Sequence, residues 1–221
     1  MDYTKLVSCL DKPTDKKDPR DYQLSSIQEA VLTPEEFSLR GRMSGVGIQK
    51  FGSCTSWGTV SGTKEFQEQR NLSEYFNYVN SKKISGIYDQ EGEYIHNALK
   101  AICDYGVCSQ ELFPDEFPVD MKWITYVKKE PSIIAYEDAK KYKGKSYWSL
   151  PNTIDNFKNS IFQNEVPVVF AMDWNSAYTP DKISGILPLP TGKYLGGHAV
   201  CAVGWDKEGV WVKNSWGVDW G

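Results

Sequence analysis

The chain has 221 residues, 40% of them hydrophobic and 14% aromatic, the make-up of a globular protein of one large domain or two lobes rather than of a disordered chain. Its formal net charge of -4, from 25 basic and 29 acidic residues, gives no field that would gather nucleic acid. No apolar run approaches the roughly eighteen residues of a membrane span, and the first residues lack a signal peptide's apolar core, so a soluble, cytoplasmic protein with no membrane partner is expected.

In chain order, residues 1–40 read as a polar arm packed on the body. Asp11-Lys-Pro-Thr-Asp-Lys-Lys-Asp-Pro-Arg-Asp21 mixes both charges with prolines and can bury little alone. Lys16 and Lys17 are interleaved with aspartates, which makes a solvated stretch rather than a basic motif. At Phe51-Gly-Ser-Cys-Thr-Ser-Trp57 a loop gives way to a helix predicted over 55–69. Gly52 and Ser53 let the backbone turn tightly, and the helix start would aim unpaired N–H groups and its positive dipole end at Cys54. Such a place favours the thiolate, which makes Cys54 a candidate nucleophile, a small core thiol being the plain alternative. Gly58 and Gly62 each cost a helix about 1 kcal/mol against alanine. A helix that nevertheless carries Trp57, Val60 and Phe66 is expected to be central, with other backbone pressed against the glycines.

Residues 72–79 read as a second, aromatic-rich helix and Asp89-Gln-Glu-Gly92 as a turn. Ile95, Ala98, Leu99 and Ile102 form one apolar face of a third helix, which Gly106 ends in the left-handed conformation. Cys103 and Cys108, with His96 nearby, raise the question of a metal. Five residues turn a helix by about 140°, so the two sulfurs face different ways, and neither a metal nor another cofactor is expected. Residues 122–145, rich in lysine and tyrosine, read as a solvated connector. Thr153 can cap a helix with Ile154, Phe157 and Ile161 along one side, and a buried strand begins near Val166. Two β-like runs, 196–205 and 210–216, then flank a turn at Asp206-Lys-Glu-Gly209 and form a hairpin. His198 and Asn214 fall near its open end. Ideal pairing leaves them about three residues out of register, so contact needs a longer turn or a bulge.

The chain has two histidines. His96 sits in an ordinary amphipathic helix as a surface residue. His198 follows two glycines that permit close approach, and the amide oxygen of Asn214 can accept an imidazole N–H and fix its tautomer. Cys54, His198 and Asn214 are then the residue types of a thiol acyl-transfer triad. Five cysteines are an odd number. With Cys54 reduced, Cys9, Cys103, Cys108 and Cys201 could pair or stay reduced, and without a secretion signal reduced thiols are expected.

These segments resemble the papain-like cysteine peptidases, above all their bacterial and viral branch. Gly52-Ser-Cys-Thr55 is similar to the nucleophile motif of that branch, Gly196-Gly-His-Ala-Val200 to its histidine motif, and Asn214-Ser-Trp-Gly217 with Trp220-Gly221 to its asparagine motif. Asp18-Pro-Arg-Asp-Tyr22 is similar to the arm before the domain, Leu72-Ser-Glu74 to the helix after the nucleophile, and Gly106-Val-Cys-Ser-Gln-Glu-Leu-Phe-Pro114 to the next loop. The resemblance implies a two-lobed α+β papain-like fold. A helical lobe over about 41–120 would carry Cys54, and an antiparallel, β-barrel-like lobe over about 121–221 would carry His198 and Asn214. It implies a cysteine peptidase with a polypeptide substrate in the cleft. His198 would hold Cys54 as thiolate, the thiolate would attack a peptide carbonyl, the imidazolium would protonate the leaving amine, and water would release the acyl-enzyme. Trp216 would shield the histidine–asparagine hydrogen bond, while Gly92 and Gly197 would border the substrate. Taken alone, Trp216 reads more often as plain core, and Gly92 equally as a turn glycine.

Two departures stand out. The family has a glutamine six residues before the nucleophile to help hold the oxyanion; that place is Ile48 here, and Gln49 is one residue late. A bulge could swing Gln49 in, whereas a missing donor would cost about 10²–10³ in turnover. The sequence also stops at Gly221, where the family continues into another strand, so either it is incomplete or a sheet edge is left uncovered. No long inhibitory propeptide precedes Cys54, so a secreted zymogen scheme is not expected. The alternative function is a catalytically inactive papain-like module that binds a peptide or partner protein in the same cleft.

Overall fold

The computed structural model describes residues 23–24, 29, 31–118, 120–178 and 185–220; Cys9, Lys16, Lys17, the 18–22 stretch and Gly221 lie outside them. A short strand β1 (Phe37–Ser38) is followed by a central helix α1 in three parts: α-helical at Cys54–Ser56, π-helical over Trp57–Lys64 and α-helical again at Glu65–Glu68. Next come α2 (Glu74–Ser85), α3 (Ile95–Asp104), α4 (Trp123–Val127), α5 (Ile133–Ala139) and α6 (Ile154–Asn164). Strands β2 (Val168–Asn175), β3 (Tyr194–Trp205) and β4 (Val210–Lys213) close the chain. Apart from β1, helices precede strands, and the fold is α+β.

The poor helix propensity of α1 is offset by burial on nearly every side. A Cβ on Gly62 would lie 2.6 Å from that of Cys201, and one on Gly58 would lie 2.8 Å from Cγ2 of Val169. The sheet therefore packs straight onto the glycine face of α1. The groups that press closest are side chains of β2 and β3, and the backbone expected from the sequence comes near Gly58 at the Val200 carbonyl, 3.7 Å from such a Cβ.

On the other side of α1, helix α2 starts where the Ser73 hydroxyl accepts the Phe76 N–H at 2.9 Å, an N-cap worth about 1 kcal/mol. Its Tyr75, Phe76, Tyr78 and Val79 pack with Phe113, and also with Tyr126, Val127, Ala135 and Ala139. The 122–145 stretch is thus no solvated connector. Helices α4 and α5 close the helical body, which runs past residue 120 to about 139. Each is too short for periodicity to show among the intervening lysines. Helix α3 spans the predicted apolar face, burying Ala98, Ala101 and Ile102, and Gly106 follows it at φ 83°.

In the sheet β3 is the central strand and pairs antiparallel with β1, β2 and β4. Phe157 and Ile161 of α6 cover it together with Phe66, Ala202 and Trp205. Ile154, expected on the same buried side, is 60% exposed because the first turn of α6 projects beyond the core.

One irregularity in the sheet decides where the tail's side chains go. Trp205 pairs with Val210 and Gly204 with Trp211, but then Ala202 pairs with Val212 and Cys201 with Lys213, leaving Val203 as an extra residue. Without that bulge Asn214 would stand opposite Cys201, on the face away from His198. With it, Asn214 stands opposite Val200, two residues from His198 and on the same face. Gly204, at φ 152°, allows the bulge and lets β1 close in, since a Cβ there would run into the Phe37 carbonyl.

Candidate active site

The bulge brings His198 and Asn214 together, with His198 Nε2 2.7 Å from Asn214 Oδ1. The same Oδ1 accepts the backbone N–H of Ser215 at 2.8 Å. A backbone N–H can only donate, so the atom facing it is the amide oxygen and the imidazole must carry its proton on Nε2. Nδ1 is then the acceptor nitrogen. It is buried and has no hydrogen-bond partner among the described residues. The ring of Trp216 lies 4.7 Å from the imidazole, centroid to centroid, and Trp174 meets it edge-on at 5.0 Å. Both tryptophans are 1% exposed and pack on the imidazole ring. Burial pushes the His198 pKa down to about 4, against the opposing pull of the Asn214 bond. The ring is therefore neutral at neutral pH, and a positive charge on it would need an anion beside it.

Cys54 is buried at the first residue of α1. That first turn packs against β3, the strand that carries His198. The approach to Cys54 is tied directly to the residues after Asn214. Gly217 N–H donates to the Gly47 carbonyl at 2.9 Å, Gln49 N–H to the Ser215 carbonyl at 2.8 Å, and Ile48 pairs with Trp216 between them. Phe51 at φ 55° and the Ser53 hydroxyl, which donates to the Lys50 carbonyl at 2.7 Å, then turn the chain into α1. Half-buried Lys213 donates to the Ser44 hydroxyl and to the carbonyl and hydroxyl of Ser61, tying the residue before Asn214 to α1.

Gln49 is 1% exposed and Ile48 is 40% exposed, so the late glutamine, not the isoleucine, faces the interior. Its Oε1 accepts the Ser215 hydroxyl at 2.6 Å and its Nε2 donates to the Phe51 carbonyl at 3.0 Å. The left-handed Phe51 absorbs the extra residue. Gly92 is buried against the loop before Cys54: a Cβ on Gly52 would lie 3.0 Å from the Gly92 nitrogen, and Gly52 N–H donates to the Glu91 carboxylate at 3.0 Å. Gly197 stands half-buried in β3 opposite Asp173, immediately before His198. His96 is remote in role, its Nε2 lying 3.4 Å from the Tyr147 hydroxyl.

The other described cysteines are poor nucleophiles. Burial pushes the thiols of Cys108 and Cys201 up to about 12, and burial also raises that of Cys103. Residues that the sequence reading did not single out also shape the site: Trp174, Ser215, Glu91, Tyr78 and Lys82. Of these, Ser215 lay inside the asparagine motif, Glu91 in the predicted turn at 89–92 and Tyr78 in the predicted 72–79 helix, while Trp174 and Lys82 lay in no marked stretch.

Residues 33–221 match the model for papain family cysteine protease. The chain is 28% identical over 239 aligned residues to an uncharacterised peptidase C1-like protein of Acanthamoeba polyphaga mimivirus, an alignment covering 94% of this chain and 73% of that protein. It is also 38% identical over 91 residues to cathepsin B-like cysteine proteinase 3 of Ostertagia ostertagi, covering 39% of this chain and 51% of that one. Among solved structures, xylellain, a cysteine protease from Xylella fastidiosa, superposes with a TM-score of 0.77 at 24% identity, covering 96% of this chain and 85% of that one. Procathepsin B S9 from Trypanosoma congolense superposes at 0.76 with 19% identity, over 100% of this chain and 80% of that one. The shared architecture and the match along nearly the whole described chain lead to one conclusion: the chain belongs to the papain family of cysteine proteases.

Proposed function

We propose that the chain is a cysteine peptidase that cuts polypeptides through Cys54, His198 and Asn214 and a thioester acyl-enzyme. The observation that carries the reading is the His198–Asn214 bond of 2.7 Å, which, with the Ser215 N–H on the same oxygen, puts the ring proton on Nε2 and leaves Nδ1 as the acceptor. A neutral imidazole in that tautomer takes the thiol proton as the sulfur attacks a peptide carbonyl. The ring becomes cationic only with the thiolate or the intermediate's negative charge nearby, which offsets the cost of charging a buried ring. It then protonates the leaving amine, and in the second half-reaction it activates the water that hydrolyses the thioester.

Gln49 is the side-chain donor to the oxyanion in this scheme. Its NH₂ has two hydrogens and the Phe51 bond uses one. Trp216 and Trp174 keep water from the histidine–asparagine bond, while Gly92 and Gly197 flank the substrate without side chains.

The test is hydrolysis of a mixed peptide library by wild type and three variants. Cys54→Ala should abolish turnover, His198→Ala should lower kcat by about 10²–10⁴, and Gln49→Ala by about 10²–10³ with little change in KM. Turnover that survives Cys54→Ala, or a folded wild type that cleaves nothing while binding peptides, contradicts the proposal; the second result is that of the inactive binding module.

A further inference from the structure

The 90–92 turn beside the nucleophile loop is held by donors from one face of α2. Lys82 and Tyr78, one helical turn apart, are both fully buried. Lys82 Nζ donates to the Gln90 carbonyl at 2.8 Å and to the Gly92 carbonyl at 2.5 Å. The Tyr78 hydroxyl donates to the Glu91 carbonyl between them and accepts Trp123 Nε1–H at 3.0 Å. The ammonium also sits 5.8 Å from the Tyr78 ring centre and 5.6 Å from that of Trp123. Successive carbonyls of an extended chain point to opposite sides, so three in a row held from one helix face define a tightly wrapped turn. Taking a lysine wholly out of water costs several kcal/mol unless its donors are satisfied. Here the acceptors that satisfy them include two carbonyls of this turn. The outer side of the same turn meets the nucleophile loop through Glu91 and Gly52.

We propose that Lys82 and Tyr78 are positioning residues that fix the 90–92 turn as one wall of the groove, at the height where it flanks the backbone of a peptide on its way to Cys54. The inference rests on the peptidase reading and adds the device that sets the substrate edge. Neither residue touches the reacting atoms. The nucleophile loop keeps its own ties through Ser53 and Gln49, so loss of the clamp acts on extended substrates and not on the reactivity of the sulfur.

The test compares two thiol reagents on the folded protein, with modification of Cys54 followed by mass spectrometry. A peptidyl chloromethyl ketone must lie along the groove, whereas iodoacetamide need not. In Lys82→Met the rate with the peptidyl reagent should fall about 10-fold or more while that with iodoacetamide stays within about 2-fold. Tyr78→Phe, which removes one hydroxyl, should shift the ratio the same way by about 3-fold and carries the test if Lys82→Met does not fold. A ratio unchanged in both folded variants, or equal falls with both reagents, overturns the inference alone. If His198→Ala does not slow iodoacetamide in the wild-type background, the peptidase reading falls, and this inference with it.

Discussion

The Asn214 amide oxygen accepts the Ser215 N–H as well as facing His198, so one side chain settles which imidazole nitrogen carries the proton and which is the acceptor. The burial that protects this bond also depresses the ring's pKa to about 4, and the consequence is a dependence of stability on pH. In the unfolded chain a histidine titrates near about 6.5. Between that value and about 4 the unfolded state binds more protons than the folded one, so stability is full above the upper value and is lost as pH falls through the window. The group's share is about 3 kcal/mol. Denaturant unfolding at pH 7 and pH 4 should show wild type losing about that much more than His198→Gln; identical losses would show that the imidazole is not buried in its neutral form.

At the scale of elements, α1 and β3 fit because each is small where the other is full. Gly62→Ala drives a methyl group against Cys201 and should cost about 1–3 kcal/mol, as overpacking does. In a Cys201→Gly background the same substitution should cost clearly less, a coupling that a double-mutant cycle by denaturant unfolding reads directly; strict additivity would contradict the contact. The glycines of α1 were legible in the sequence because their propensity cost demanded an explanation. The bulge at Val203 was legible only as one of two requirements: the count from the turn showed that contact between His198 and Asn214 needed a longer turn or a bulge, but nothing in Ala202-Val-Gly204 says which residue is extra. Helices α4 and α5 were not legible, since five and seven residues among lysines show no clear period and their apolar faces have meaning only against α2. The clamp on the 90–92 turn was hidden for a related reason. The helix predicted over 72–79 stopped three residues short of Lys82, and nothing in the sequence marked that lysine as buried.

At the scale of the molecule, the two ends of the domain are fastened to each other. The 47–49 segment runs beside 215–217, and α1 lies between the helical body and the sheet, so folding either half places one part of the site. The motifs around Cys54, His198 and Asn214 stood out in the sequence because thiol acyl transfer, the chemistry proposed for them, calls for those residue types. Gln49 was readable only as a residue one place late; it took the left-handed Phe51 to show how it turns inward. The central claim is that Cys54 and His198 work as one unit, and the most direct measurement is the rate of Cys54 alkylation by iodoacetamide from pH 5 to pH 8 in wild type and His198→Ala. Wild type should react at least about 10-fold faster than the variant across that range, with the variant falling to the rate of an ordinary peptide thiol. Equal rates in the two folded proteins would contradict the account.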